Sequence, residues 1–109
     1  MDKLHVEQVR AHLRDWTGKS VYIHLEVNPG AYWRNGSGVL MAAHVHGEGS
    51  YRMYLELDSG IGLIQVDGLT HMELTPEQLI VIGFDDSERL ARTLEMALTP
   101  FPMNEGEQV

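Results

Sequence analysis

The sequence predicts a mainly β protein, a small β-barrel or sandwich of about seven strands with an N-terminal α-helix, in a single domain. Three observations lead there. Residues 20–27, Ser-Val-Tyr-Ile-His-Leu-Glu-Val, alternate apolar and polar side chains at the two-residue period of a half-buried strand. Further short apolar and β-branched segments recur between clusters of Gly, Pro, Asn and Ser. The stretch 2–17, in contrast, repeats at helical spacing. A chain of 109 residues suffices for one core.

In residues 2–17, Val6, Val9, Leu13 and Trp16 fall on one stripe of a helix. Asp2 suits the N-cap, and Gly18 suits the C′ position, where a left-handed backbone is wanted. His5 and His12 share a face and are expected to meet solvent. The β domain follows, over 20–99. In strand 20–27, Val21, Ile23, Leu25 and Val27 make one face, and Tyr22, His24 and Glu26 the other. Asn28-Pro29-Gly30 turns the chain. The short aromatic segment Ala31-Tyr32-Trp33-Arg34 comes next, closed by a glycine-rich loop, Asn35-Gly36-Ser37-Gly38.

Residues 39–46 and 51–58 read as a hairpin. With Glu48-Gly49 as a two-residue turn, Gly47 pairs with Ser50. His46 then faces Tyr51, His44 faces Met53 and Ala42 faces Leu55. This register aims His44 and His46 at the more apolar side, and Arg52, Tyr54 and Glu56 at the other. A slip of one residue reverses it.

Residues 61–67 and 69–74 are further strands, divided at Gly68, with a turn at Thr75-Pro76-Glu77. Residues 78–84 are short, apolar and β-branched, as in a buried strand. Residues 85–98 fit two elements. Asp85-Asp86-Ser87-Glu88 matches a capping box ahead of Leu90, Leu94 and Leu98 at helical spacing, and local propensity leans that way. Leu90, Leu94, Met96 and Leu98 also make one face of a strand folded back on 78–84. Thr99-Pro100-Phe101-Pro102 is extended in either case, and residues 104–109 read as a frayed polar tail.

Sixteen acidic residues against eight basic ones, a formal charge of −8, oppose binding to a phosphate backbone. Arg10 and Arg14 lie one helical turn apart but are flanked by Glu7 and Asp15. No apolar run reaches the roughly 18 residues of a membrane helix. Met1-Asp2-Lys3-Leu4-His5 lacks the apolar stretch of a signal peptide, so a cytoplasmic location is expected. With no cysteine, disulfides, thiolate metal sites and cysteine nucleophiles are excluded.

Four of the six histidines lie in predicted strands. Strand residues two apart share a face about 7 Å apart, so His24 with Glu26, and His44 with His46, are side-by-side pairs. His44, His46 and His71 are the candidate metal ligands. With His24 and Glu26 as further donors, they form a sulfur-free set suited to zinc, iron, manganese or nickel if they converge. Gly38-x5-His44-x-His46 matches the start of the first cupin motif, but Ser50 and Tyr51 stand where its glutamate belongs. His24 and Glu26 also make an acid–base pair. There is no Gly-x-Ser-x-Gly elbow, phosphate loop or dinucleotide fingerprint. The candidate ligand-binding residues are Tyr22, His24, Glu26, Tyr51 and Arg52.

Four stretches together resemble the YojF family of small bacterial proteins: Val21-Tyr22-Ile23-His24-Leu25-Glu26, Ser50-Tyr51-Arg52, Asp67-Gly68-Leu69-Thr70-His71 and Thr99-Pro100-Phe101. The resemblance covers almost the whole chain. It implies a compact, mainly β fold with an N-terminal helix in a cytosolic protein, sometimes encoded near a deacetylase of thiol synthesis. It also tips 89–98 toward a closing strand. No catalytic residues carry over from it. The expected function is a non-catalytic binding or accessory module for a small molecule or a protein partner, and the alternative is a His-based metal protein or metal-dependent enzyme. No cofactor is expected under the first reading, and a divalent metal under the second. A homodimer is favoured over a monomer, with residues 31–33 and the Thr-Pro-Phe-Pro segment as contacts.

Overall fold

The computed structural model describes residues 1–103. The predicted tail at 104–109 lies outside them. The chain runs β1 (Asp2–Lys3), α1 (Val6–Trp16), β2 (Ser20–Val27), β3 (Ala31–Glu48), β4 (Ser50–Leu57), β5 (Gly62–Leu69), β6 (His71–Leu74), β7 (Gln78–Phe84) and β8 (Leu90–Ala97). A short 3₁₀ turn at Asp58–Gly60 joins β4 to β5. The fold is mainly β, as the period-2 segments predict. Every ladder is antiparallel, and the sheet order is β1-β6-β7-β8-β2-β3-β4-β5.

That order forces curvature. β5 and β6 are separated by Thr70 alone, yet they stand near opposite ends of the sheet. The sheet must curl until its ends meet. Thr70 seals part of the approach by donating its N–H to Ile82 O (2.8 Å) and accepting Leu4 N–H (2.9 Å). β5 has no ladder to β7 or β8, so the sheet stays open along a seam there.

β3 makes the main corner. Its first half pairs with β2, from Val27↔Ala31 to Ser20↔Val39, and its second half with β4. The predicted glycine-rich loop at 35–38 is therefore the middle of one bent 18-residue strand. Two irregularities let it bend, one at Asn35, between Gly36 and Arg34 opposite the Ile23–His24 step, and one at Met41. Asn35 holds a left-handed φ of 60°, which asparagine tolerates better than most side chains.

The enclosed core takes Val21 and Ile23 from β2, Leu40 and Val45 from β3, and Met53, Leu55 and Leu57 from β4. Leu69, Val81, Leu94 and Met96 come from the later strands. α1 adds Val9, Leu13 and Trp16 of the predicted stripe, with its fourth member, Val6, partly buried against them. The helix lies along the second half of β3 and covers an otherwise open edge. Arg10 donates to Val45 O (2.7 Å), and Gly18 N–H donates to Leu40 O (2.7 Å). Gly18 has the left-handed φ expected of it, 89°. The start of the helix differs from the prediction. Asp2 pairs with Met72 in β1, and His5 occupies the N-cap without a side-chain bond, because Leu4 is drawn into the core. His12 is half-buried with its ring 4.7 Å from that of Trp16, while His5 is exposed as expected.

Residues 90–97 form a strand between β7 and β2, so tertiary pairing overrides the local helical preference. Asp85 still uses its carboxylate as a cap. It accepts the backbone N–H groups of Ser87 (2.8 Å) and Arg89 (3.0 Å), but within a β-turn.

Candidate functional site

The hairpin places the histidines on the opposite side from the predicted one. Gly47 pairs with Tyr51, His46 with Arg52, His44 with Tyr54 and Ala42 with Glu56. The turn holds three residues, 48–50, rather than two, and Gly49 takes the left-handed position (φ 76°) of that longer loop. Gly47 sits at φ 133°, where a Cβ would collide with Ser50 O. The one-residue slip sends Ala43 and Val45 inward. It puts His44, His46, Arg52, Tyr54 and Glu56 together on the outer face of β3–β4.

On that face the side chains form an ordered ladder. The His44 ring stacks on Tyr54 at 4.2 Å and 17°, and His46 lies 6.3 Å from His44 and 6.1 Å from Tyr54. His44 Nε2 is 2.9 Å from Glu56 Oε2. Arg52 Nε donates to Asp67 on β5 (2.6 Å), and that carboxylate raises the guanidinium's pKa above its already high value. Beside these groups lies an open groove of about 550 Å³ lined by His46, Ser50, Tyr51, Arg52, Tyr54, Gln65 and Asp67. Tyr51 and Arg52 are predicted ligand residues. Tyr54, Gln65 and Asp67 are not among the predicted residues, and the register alone would have revealed Tyr54. A smaller cleft of about 250 Å³ runs between α1 and β3, with His44, His46, Arg10 and Arg14 at its rim.

The other predicted cluster is a packed joint. His24 is 7% exposed. Arg34 Nη1 lies 3.0 Å from His24 Nδ1, and a guanidinium can only donate, so Nδ1 accepts and the ring proton sits on Nε2. Nε2 then points at Glu26 Oε1, 3.4 Å away. Tyr32 meets the ring edge-on at 5.0 Å and Phe101 at 6.1 Å. Arg34 Nε and Nη2 grip Pro102 O (3.0 and 2.8 Å), with the guanidinium carbon 5.0 Å from the Phe101 ring centre. Asn35 completes the clasp by mimicking a strand partner. Its Nδ2 donates to Phe101 O (2.8 Å), and its Oδ1 accepts Phe101 N–H (2.7 Å). Within the Thr-Pro-Phe-Pro segment the Phe101 ring is thus buried in the chain, while Tyr32 and Trp33 stay exposed, at 63% and 44%. Tyr22 is half-buried on the same strand face as His24.

His71 stands apart from His44 and His46. It lies on β6, its Nδ1 2.8 Å from Thr70 Oγ1 and its ring edge-on to Phe84 at 5.3 Å. Among the described residues, no three His, Asp or Glu side chains gather in a metal-ligating group. Also among these residues, no helix is long and apolar enough to cross a membrane.

Fold and surface together define a small, curled antiparallel β protein with an N-terminal helix and a polar groove on one outer face. The chain belongs to the family described as protein of unknown function DUF1806, whose model matches residues 3–101. It is 31% identical to the uncharacterized protein YojF of Bacillus subtilis strain 168, over 87% of this chain and 93% of that one. The crystal structure of that Bacillus subtilis protein superposes with a TM-score of 0.82, covering 94% of this chain and 97% of the other.

Proposed function

We propose that this chain is a non-catalytic binding module that receives a small, planar, polar molecule in the groove beside Tyr54. One observation carries the reading. The three-residue turn lines up His44, Tyr54 and His46 as an outward-facing run of rings, half-buried at His44 and Tyr54 and exposed at His46, next to a groove of about 550 Å³ with charged and amide groups at its edge. Clefts of about 300–1,000 Å³ with a few placed polar groups are typical small-molecule sites. Tyr54 and His46 offer faces for a flat ring. Gln65, Arg52 and Asp67 offer donors and acceptors around its edge. The Arg52–Asp67 pair fixes the rim without filling the groove.

Nicotinamide and adenine serve as flat probes, with glucose as a non-planar control, in an NMR titration. Saturable shifts at His46, Tyr54 and Gln65 with the flat probes, lost in Tyr54→Ala, support the reading. Equal responses to glucose, or shifts confined to other surfaces, overturn it.

A further inference from the structure

We propose a second site, a carboxylate seat at Arg92 in the seam where the sheet fails to close, which goes beyond the groove reading and does not depend on it. The seam is a cleft of about 320 Å³, walled by Leu25 and Val27 of β2, Val66 and Asp67 of β5, and Arg92 of β8. In β8, Leu94 and Met96 face the core, so the alternation carries Arg92 to the inner side, at the mouth of the curl. An arginine there needs room, and two glycines leave it. A Cβ on Gly68 would collide with the Arg92 guanidinium, and one on Gly83 would collide with Gly68 O and lie 3.3 Å from Arg92 Cδ. Gly68 also holds a φ of 71°.

The guanidinium threaded through this slot is under-used. Its only hydrogen bond among the described residues is a long one, Nη1 to Gly68 O at 3.3 Å. Arg10, Arg52 and Arg89 each pair with a carboxylate, and Arg34 makes three bonds. No described carboxylate lies within 4.0 Å of Arg92. Two acids stand near. Asp67 lines the cleft but is engaged by Arg52 at 2.6 Å. Asp85 is bonded to Arg89 and feels Arg92 only through space. Unsatisfied, half-buried donors beside an apolar wall match a carboxylate carrying a short apolar body. β5 is the last strand of the sheet, so its side turned from β4 has no strand partner. A peptide C-terminus could therefore present the same group.

An ¹⁵N NMR titration with butyrate and its neutral isostere butyramide tests the seat on the unaltered protein. Saturable shifts at Leu25, Val27 and Arg92, which line the seam and not the groove, are expected with butyrate and not with butyramide. His46 and Tyr54 should stay in place, which separates this seat from the groove. Arg92→Gln should weaken butyrate at least about tenfold, and Arg92→Lys less, since Lys keeps the charge and loses the fork. Equal responses to acid and amide, or no saturable shift, overturn the proposal. So does an unchanged response in Arg92→Gln. A valine-ended peptide with a free carboxyl binding more tightly than butyrate, and losing this on amidation, assigns the carboxylate to a protein terminus. Butyrate binding without peptide binding assigns it to a small molecule.

Discussion

Replacing Phe101 with Ala tests whether the C-terminal segment is a working part of the fold. The ring is almost wholly buried against His24, with the Arg34 guanidinium 5.0 Å from its centre. Burying such a ring stabilises by about 1.5–3 kcal/mol. The edge-to-face and cation–π geometry adds roughly 0.5–1 kcal/mol. A core Phe→Ala change costs about 3–5 kcal/mol, but here the backbone clasp by Asn35 and Arg34 survives and the segment can settle inward. The expected loss is therefore about 2–3 kcal/mol. With a urea slope of about 1–3 kcal/mol/M, the midpoint should fall by roughly 0.7–3 M. Trp16 and Trp33 fluorescence reads the transition, and hydrogen exchange at the Phe101 amide reads the clasp. Asn35→Ala removes two hydrogen bonds and forces Ala into a left-handed φ, which costs another 2 kcal/mol or about that. Because both changes act on one segment, the double variant should cost less than their sum by about 0.5–1.5 kcal/mol. A midpoint shift for Phe101→Ala below about 0.3 M, with exchange unchanged, would refute the claim that the segment holds the sheet.

Other outcomes follow from the same geometry. In a chain free of native cysteine, His46→Cys with Arg52→Cys should oxidise to a cross-strand disulfide far more readily than His46→Cys with Tyr51→Cys; the reverse order would restore the two-residue turn. Gly47→Ala should destabilise by about 1–3 kcal/mol in urea melts, since a Cβ meets Ser50 O at a strained φ. Glu56→Gln should cost less than about 1 kcal/mol, because the His44–Glu56 pair is half exposed, and a larger loss would mean the ladder is more than a surface feature. Asp85 is held below the usual carboxylate range, first by the Arg89 N–H. A depressed folded-state pKa gives stability that is present above the unfolded value, near 3.9, and lost as pH falls through the folded value. The gap in stability between wild type and Asp85→Asn should accordingly narrow on acidification through that window; a gap that widens there would contradict the turn geometry.

What could be read from residues alone follows the strength of local constraint. β2 and β7 were legible because alternation and β-branching leave a strand one sensible orientation. Residues 90–97 were not, since Leu90, Leu94 and Leu98 suit a helix equally well. The slot between β7 and β2 decides, and only long-range pairing creates it. Asn35-Gly36-Ser37-Gly38 has loop chemistry, yet it bends a strand, because a corner in a curled sheet needs small residues and a left-handed position. The site turned on one turn residue. Whether the 47–51 loop closes over two residues or three decides which face carries His44 and His46, and no composition rule separates the two. The slot for Arg92 has no local signature, because the glycines that make it, Gly68 and Gly83, come to it from other strands.

The strand order also sets a timetable for synthesis. β2 to β5 zip up by neighbour-to-neighbour hairpins and can form as they emerge. The other edge of β2, however, waits for β8, some 70 positions later, with Tyr22 matched to Ala97 and Val27 to Arg92. Phe101 and Pro102 then return to Arg34 and Asn35 at the start of the same bent strand. Until β8 and residues 101–102 clear the ribosome tunnel, that edge of β2 has no partner strand. A nascent chain stalled before β8 should stay protease-sensitive at β2 and β7 and sticky toward holdase chaperones, and emergence of residues 90–102 should convert it in one step.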